Sequence, residues 1–76
     1  METINLRIEK KGRGGKTVTI LEGFTHDLQF LEDIARKIKS ACGTGGTVKD
    51  RTIEIQGDFR PQIRGILSGE KFNIKG

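Results

Sequence analysis

The sequence predicts an α+β fold, a two-layer α/β sandwich in which two helices pack on one face of a five-stranded sheet. Three observations support this prediction. Short alternating or β-branched apolar segments indicate strands, two longer segments repeat apolar residues at three- and four-residue spacing, and glycine-rich stretches separate them. Each helix has one apolar stripe, so both can cover the same sheet face in the order ββαββαβ. The 76 residues are predicted to form a single domain, 1–76.

The first two strands are predicted to form a hairpin. Residues 4–9 (INLRIE) alternate apolar and polar side chains, as in a half-buried strand. Residues 10–16 (KKGRGGK) contain three glycines that permit a chain reversal. The second strand (TVTIL) is β-branched and apolar, and we expect Val18 and Ile20 to face inward and Thr19 to be exposed.

A helix is predicted over residues 27–41, where apolar residues recur at helical spacing. Asp27 or Thr25 can cap its start, and Gly43 suits the left-handed residue that closes a helix. The first helix is therefore bounded by local signals at both ends.

The second half of the chain repeats the pattern of two strands followed by a helix. Strands over 47–49 and 52–56 are joined tightly at Asp50-Arg51. Asp58 is a candidate cap for a second helix (FRPQIRGIL), whose proline falls in the first turn, where a missing amide donor costs little. A last strand follows, with alternating apolar residues (FNI).

Charge is distributed unevenly along the chain, which carries a net charge of +4. Residues 1–16 hold five basic and two acidic side chains, whereas 17–35 hold four acids and no Lys or Arg. Residues 36–51 then hold five basic side chains and one Asp. Concentrated positive charge favours polyanionic partners such as nucleic acid, although solvated charge runs are also common.

The sequence has few residues that could serve in catalysis or metal binding. His26 is the only histidine and Cys42 the only cysteine, and we expect a surface or capping role for the first and a small core role for the second. The glycines of residues 42–47 follow a helix instead of preceding one, which is the wrong polarity for a phosphate loop. We therefore expect no enzyme activity, no metal, no cofactor and no small-molecule substrate.

The aromatic residues argue against one kind of RNA binding. The four phenylalanines mostly match inward or helical positions, so the predicted open sheet face carries no ring on which a base could stack. By contrast, the first hairpin loop places four basic residues in and beside a glycine-rich turn, with no benefit to folding. Contact with the phosphates of structured RNA is the function that this pattern favours.

Three segments together resemble one family: residues 11–17 (KGRGGKT), 41–50 (ACGTGGTVKD) and 53–60 (IEIQGDFR). In this order they resemble the eukaryotic-type translation initiation factor one family, also called the suppressor-of-initiator-codon family, in its YciH-like prokaryotic short form. The resemblance implies a ββαββαβ sandwich that binds the small ribosomal subunit near the P site and influences start-codon selection. The long acidic N-terminal tail of eukaryotic members does not match, so we expect a bacterial or archaeal form.

The family's functional positions can be carried over residue by residue. Its first hairpin loop and first helix contact ribosomal RNA, and its second loop, short in this sequence, faces initiator tRNA. The corresponding RNA-binding or ribosome-binding residues are Lys10, Lys11, Arg13, Lys16, Arg36, Lys37, Lys39, Lys49 and Arg51. The motif residues expected to shape turns and a helix cap are Gly45, Gly46, Gly57 and Asp58.

The implied partners are ribosomal RNA of the small subunit and, further, initiator tRNA and other initiation factors, with the protein acting as a monomer. A single cysteine, no signal-peptide layout and no long apolar run lead us to expect a cytoplasmic protein without a membrane partner. Two alternatives stay open at this point: a general structured-RNA-binding protein, and a protein-interaction module acting off the ribosome.

Overall fold

The computed structural model describes residues 3–12, 14–70 and 72–75, and the side chain of Lys11 lies outside the described part. Seven elements follow one another in the order ββαββαβ. They are β1 (Thr3–Lys11), β2 (Lys16–Glu22), α1 (Leu28–Cys42), β3 (Gly46–Lys49), β4 (Thr52–Gln56), α2 (Arg60–Gly69) and β5 (Asn73–Lys75). The predicted order and fold class are confirmed.

The five strands form one mixed sheet in the order β3-β4-β2-β1-β5. β5 runs parallel to β1, and the other neighbours are antiparallel. Helix α1 packs against β3 and β4, whereas α2 packs against β5 and also touches α1. The core therefore lies between the sheet and the two helices, and no helix formed by the described residues covers the other sheet face.

Local signals fix the two ends of α1. The Asp27 carboxylate accepts a hydrogen bond from the Phe30 amide at 3.0 Å, so Asp27 is the cap and Thr25 is not. Gly43 closes the helix in the left-handed conformation, at φ 64°. The helix spans 28–42 and not the predicted 27–41, a shift of one residue that follows from Asp27 being the cap. The half-buried Cys42 packs against the core at its end.

The start of α2 differs from the prediction. Phe59, not Asp58, is the N-cap residue and its side chain makes no capping hydrogen bond, although the Asp58 carboxylate accepts a long hydrogen bond of 3.4 Å from the Arg60 amide. The Phe59 amide is instead bound by the Thr19 hydroxyl at 3.2 Å, and the Asp58 carboxylate is occupied by the Arg60 side chain, with Nε–Oδ1 at 3.0 Å. The expected cap is therefore replaced by a contact from β2.

The prediction of which β2 side chains face the helices was wrong. The sheet register pairs Thr19 with Ile8 and Ile55, on the face that the helices cover, and Thr19 is fully buried. Val18 and Ile20 alternate with it and so face the side without helices, yet they are only 8% and 2% exposed. The pattern was ambiguous because this central strand is buried on both faces.

An ion-pair cluster lies on the face without helices, beside these two residues. Arg7, the cross-strand partner of Ile20, donates from Nε to Glu22 at 2.8 Å and from Nη1 to Glu9 at 2.7 Å. The Glu22 pairing holds the pKa of that carboxyl below its ordinary value of 4.5, chiefly through the hydrogen bond from Arg7. The side-chain stems of this cluster flank apolar residues that would otherwise meet water.

The phenylalanines lie where the prediction placed them. Phe24 and Phe72 are buried in the core, with ring centroids 5.6 Å apart, and Phe30 and Phe59 are partly buried against it. Over the described ranges, the sheet face without helices carries no aromatic side chain. Neither helix is long and apolar enough to cross a bilayer in the portion of the chain that the structure describes.

Candidate nucleic-acid interface

The first hairpin loop is built from glycines that adopt positive φ. β1 and β2 are joined by residues 12–15, in which Gly12 has φ 75° and Gly15 φ 66°, and the Gly15 amide donates to the Gly12 carbonyl at 3.3 Å. Residues with a Cβ atom rarely adopt positive φ, so glycine is favoured at both positions. The loop thus reverses the chain in four residues.

Basic residues flank this loop in register. Lys10 pairs with Thr17 across the hairpin, and Lys11 pairs with Lys16. Lys10 and Lys16 are exposed, and the structure gives their side chains no ion pair with any described residue. Arg13 and the Lys11 side chain, also predicted to bind RNA, lie outside the described residues.

The basic residues of α1 do not share one face. Lys37 points toward α2, where its Nζ lies 2.9 Å from a Glu70 carboxylate oxygen. Arg36 and Lys39 instead line a shallow groove between α1 and β3, together with Val48. Arg36 is paired within the helix to Asp33 at 3.3 Å, whereas Lys39 has no ion pair among the described residues.

The second hairpin is a two-residue turn, as predicted. Asp50 and Arg51 both adopt positive φ, at 48° and 63°. Arg51 Nη1 donates to the backbone carbonyls of Thr25 and His26, each at 3.1 Å. The guanidinium predicted to bind RNA is therefore engaged in holding the turn against the segment that leads into α1, while Lys49 beside it is exposed.

The topology separates these features onto two ends of the sheet. We call the hairpin end the part formed by the first loop, the C-terminus of α1 and the start of α2. The Gly57 amide donates to the Thr17 carbonyl at 2.7 Å, which brings the segment before α2 beside Lys16. The turn end is the opposite part, formed by residues 22–28 and 49–52.

Lys39 belongs to the hairpin end as well. A Cβ added to Gly46 would lie 3.4 Å from Lys39 Cδ, so the lysine stem passes over the start of β3. Gly46 is paired with Ile55, which is paired with Thr19, three residues beyond Lys16. With strands about 4.8 Å apart and a rise of about 3.3 Å per residue, Cα of Gly46 lies about 14 Å from Cα of Lys16. One polyanion can span that distance.

Two arginines at the hairpin end were not singled out from the sequence. Arg60 is exposed and is held by Asp58 through Nε–Oδ1 at 3.0 Å and Nη2–Oδ2 at 3.1 Å. This pairing holds the pKa of the Asp58 carboxyl below its ordinary value of 3.8. Arg64 follows one helical turn later and is also exposed. Their four-residue spacing was a signal in the sequence, but only the fold brings the start of their helix beside the first hairpin.

The residues considered for catalysis are in settings that do not activate them. Burial raises the pKa of the Cys42 thiol, which disfavours the reactive thiolate. His26 is exposed and stacks on Phe30, with ring centroids 4.0 Å apart. No group of three or more His, Cys, Asp or Glu side chains suited to a metal ion occurs among the described residues. The arrangement is one that can bind a polyanion by charge.

Comparisons with known proteins place these features in a family. The family model of translation initiation factor SUI1 matches residues 1–75. The chain is 51% identical over 53 residues to a protein translation factor SUI1 homolog of Methanocaldococcus jannaschii, covering 70% of this chain and 52% of the relative. It is 42% identical over 66 residues to the homolog of Ignicoccus hospitalis, covering 87% and 62%.

A homolog from Thermococcus onnurineus is 43% identical over 72 residues, covering 95% of this chain and 72% of that protein. In the first two relatives, by contrast, the matched segment spans only 52% and 62% of the relative's length. The matched residues include both hairpins, both helices and all of β5. The chain belongs to the translation initiation factor SUI1 family.

Proposed function

We propose that this protein binds the small ribosomal subunit through ribosomal RNA near the P site and influences start-codon selection, acting in the cytoplasm as a monomer without a cofactor. The observation that carries the proposal is the grouping of Lys10, Lys16 and Lys39 at the hairpin end, without ion pairs among the described residues. Cations left in water by the fold are available to replace the counterions of RNA phosphates.

The charge of the opposite end supports an orientation. Residues 22–28 and 49–52 of the turn end hold three acids, Glu22, Asp27 and Asp50, and two bases, Lys49 and Arg51, whereas residues 10–16 of the hairpin end hold four bases and no acid. The more strongly cationic hairpin end is the one that is steered toward a polyanion. We therefore infer that the hairpin end faces ribosomal RNA and that the turn end points away from that contact.

The remaining predicted residues contribute less in this proposal. Arg36 and Lys37 are in exposed ion pairs, which are worth only about 0–1 kcal/mol and can exchange for phosphate contacts. Lys49 and Arg51 lie at the turn end, and Arg51 is bound to backbone carbonyls. In this proposal these two residues face a second RNA, such as initiator tRNA, and not the RNA that the hairpin end contacts.

The test is co-sedimentation with purified small subunits at two salt concentrations, with initiator tRNA present and absent. The double variant Arg13→Glu/Lys16→Glu is expected to lose binding while its melting temperature stays within about 2 °C of the wild type, since Lys16 is exposed and Arg13 belongs to the polar, glycine-rich loop sequence. Each lost phosphate contact should reduce the slope of log affinity against log salt by roughly 0.7–0.9.

The matched control is Lys75→Glu, a charge reversal at an exposed residue of the edge strand β5. It should bind like the wild type. Wild-type binding by the double variant would refute the proposed surface, and full competition by bulk duplex RNA would indicate a general RNA-binding protein instead. Start-codon selection is tested with translation reporters that begin at AUG or at near-cognate codons: the double variant should fail to change their ratio, whereas the wild type should favour AUG.

A further inference from the structure

Helix α2 begins directly beside the first hairpin. Two contacts fix it there: the Gly57 amide donates to the Thr17 carbonyl at 2.7 Å, and the Phe59 amide donates to the buried Thr19 hydroxyl at 3.2 Å. Both acceptors belong to β2, one and three residues beyond Lys16. The first turn of α2 is therefore tied to the same strand that carries the loop cations.

The exposed side of this helix is cationic. Arg60 and Arg64 are separated by four residues, so they lie on the same side of α2 about 6 Å apart along its axis. Both are exposed, while Ile63 and Leu67 make the buried side. Residues 60–69 contain no acidic side chain.

The two arginines differ in how they are engaged. Asp58 binds Arg60 through two side-chain hydrogen bonds, which orient its guanidinium at the surface. Arg64 makes no side-chain hydrogen bond or ion pair with the residues that the structure describes. Together with Asp58, Pro61 and Gln62 they line an open depression. Its open shape and the two guanidinium groups in its lining suit an extended anion more than a small apolar ligand.

We propose that Arg60 and Arg64 extend the RNA-binding surface from the first hairpin onto α2, each binding a phosphate of the same RNA that Lys16 contacts. This inference rests on the proposed function, and it names residues of α2 in addition to the hairpin and α1. A planar guanidinium can bind two phosphate oxygens at once, so arginine is suited to hold an RNA backbone in one orientation. The hairpin lysines supply charge, and the two arginines set the direction in which the RNA strand runs.

The experiment measures binding of the full chain to purified small subunits over a series of salt concentrations. The double variant Arg60→Gln/Arg64→Gln removes two cations without adding acids. Its slope of log affinity against log salt should be smaller than that of the wild type by roughly 1.4–1.8, which is two contacts at 0.7–0.9 each. Arg64→Lys, which keeps the charge, should retain the wild-type slope.

Two controls separate a contact from a general effect. Lys75→Gln removes one cation at an exposed edge position, and its slope should be unchanged. Thermal melting reports whether α2 stays folded. If the double variant has lost the Asp58 pairing and melts early, Arg64→Gln alone still tests the proposal, with an expected slope change of roughly 0.7–0.9.

The outcomes distinguish this inference from the proposed function. A wild-type slope for Arg60→Gln/Arg64→Gln, in the same assay in which Arg13→Glu/Lys16→Glu loses binding, would overturn the α2 contact and leave the hairpin surface standing. Wild-type binding by both double variants would overturn the proposed function itself. A slope that is reduced in Arg60→Gln/Arg64→Gln and unchanged in Arg64→Lys would support the extended surface.

Discussion

The buried hydroxyl of Thr19 is expected to stabilise the fold through α2. It donates to the Gly57 carbonyl at 2.7 Å and accepts from the Phe59 amide at 3.2 Å, and the side chain is 0% exposed. Thr19→Val keeps nearly the same shape but removes both hydrogen bonds. It leaves a carbonyl and an amide at the start of α2 without this partner.

The size of the effect follows from those two bonds. Each is worth about 1 kcal/mol net, so the loss of both in Thr19→Val should lower the free energy of unfolding by about 2 kcal/mol. For a domain of this size, roughly 4–8 °C of melting temperature corresponds to 1 kcal/mol. We therefore expect the melting temperature to fall by about 8–16 °C.

The assay is thermal and urea unfolding followed by circular dichroism. Thr17→Val is the matched control, because Thr17 lies two residues earlier in β2, is half-buried and has no side-chain hydrogen bond with the described residues. It should change stability by less than about 0.5 kcal/mol. A Thr19→Val protein that melts within about 2 °C of the wild type, or a Thr17→Val protein destabilised to the same degree, would refute the reasoning.

Two further predictions concern the glycine pair before β3 and the ion pairs on the sheet. A Cβ at Gly46 would lie 2.6 Å from the Glu54 carbonyl oxygen, whereas one at Gly45 would meet nothing closer than 3.7 Å. Gly46→Ala should therefore lower the free energy of unfolding by about 1–3 kcal/mol, and Gly45→Ala should lower it by less than about 1 kcal/mol. The midpoints of urea unfolding measure this difference, and equal midpoints for the two variants would contradict the packing argument. Because Arg7 holds the pKa of Glu22 below its ordinary 4.5, the stability from this pair is complete above that pH and is lost as the pH falls through the lower folded value. Melting temperatures from pH 7 to pH 3 should thus fall less steeply in Arg7→Gln than in the wild type, and parallel curves would show that the pairing contributes nothing.

The sequence alone determined the elements and their order. Period-two and helical spacing are local, and so are the carboxylate of Asp27 that caps α1 and Gly43 that closes it, because each acts within one or two turns of the chain. The family motifs are local as well, so the resemblance could be recognised before any fold was known. The candidate cations of the first loop were visible for the same reason.

Only the tertiary structure decided which faces and contacts those residues have. Strand pairing placed Thr19 against the helices and Ile20 on the other face, since a central strand is apolar on both sides and its alternation does not identify the core. The tertiary structure also binds the Arg51 side chain to the Thr25 carbonyl and brings Arg60 beside the first hairpin. The Arg51–Thr25 and Gly57–Thr17 contacts join residues 26 and 40 positions apart along the chain. Their energies depend on a register and a packing that no local pattern contains.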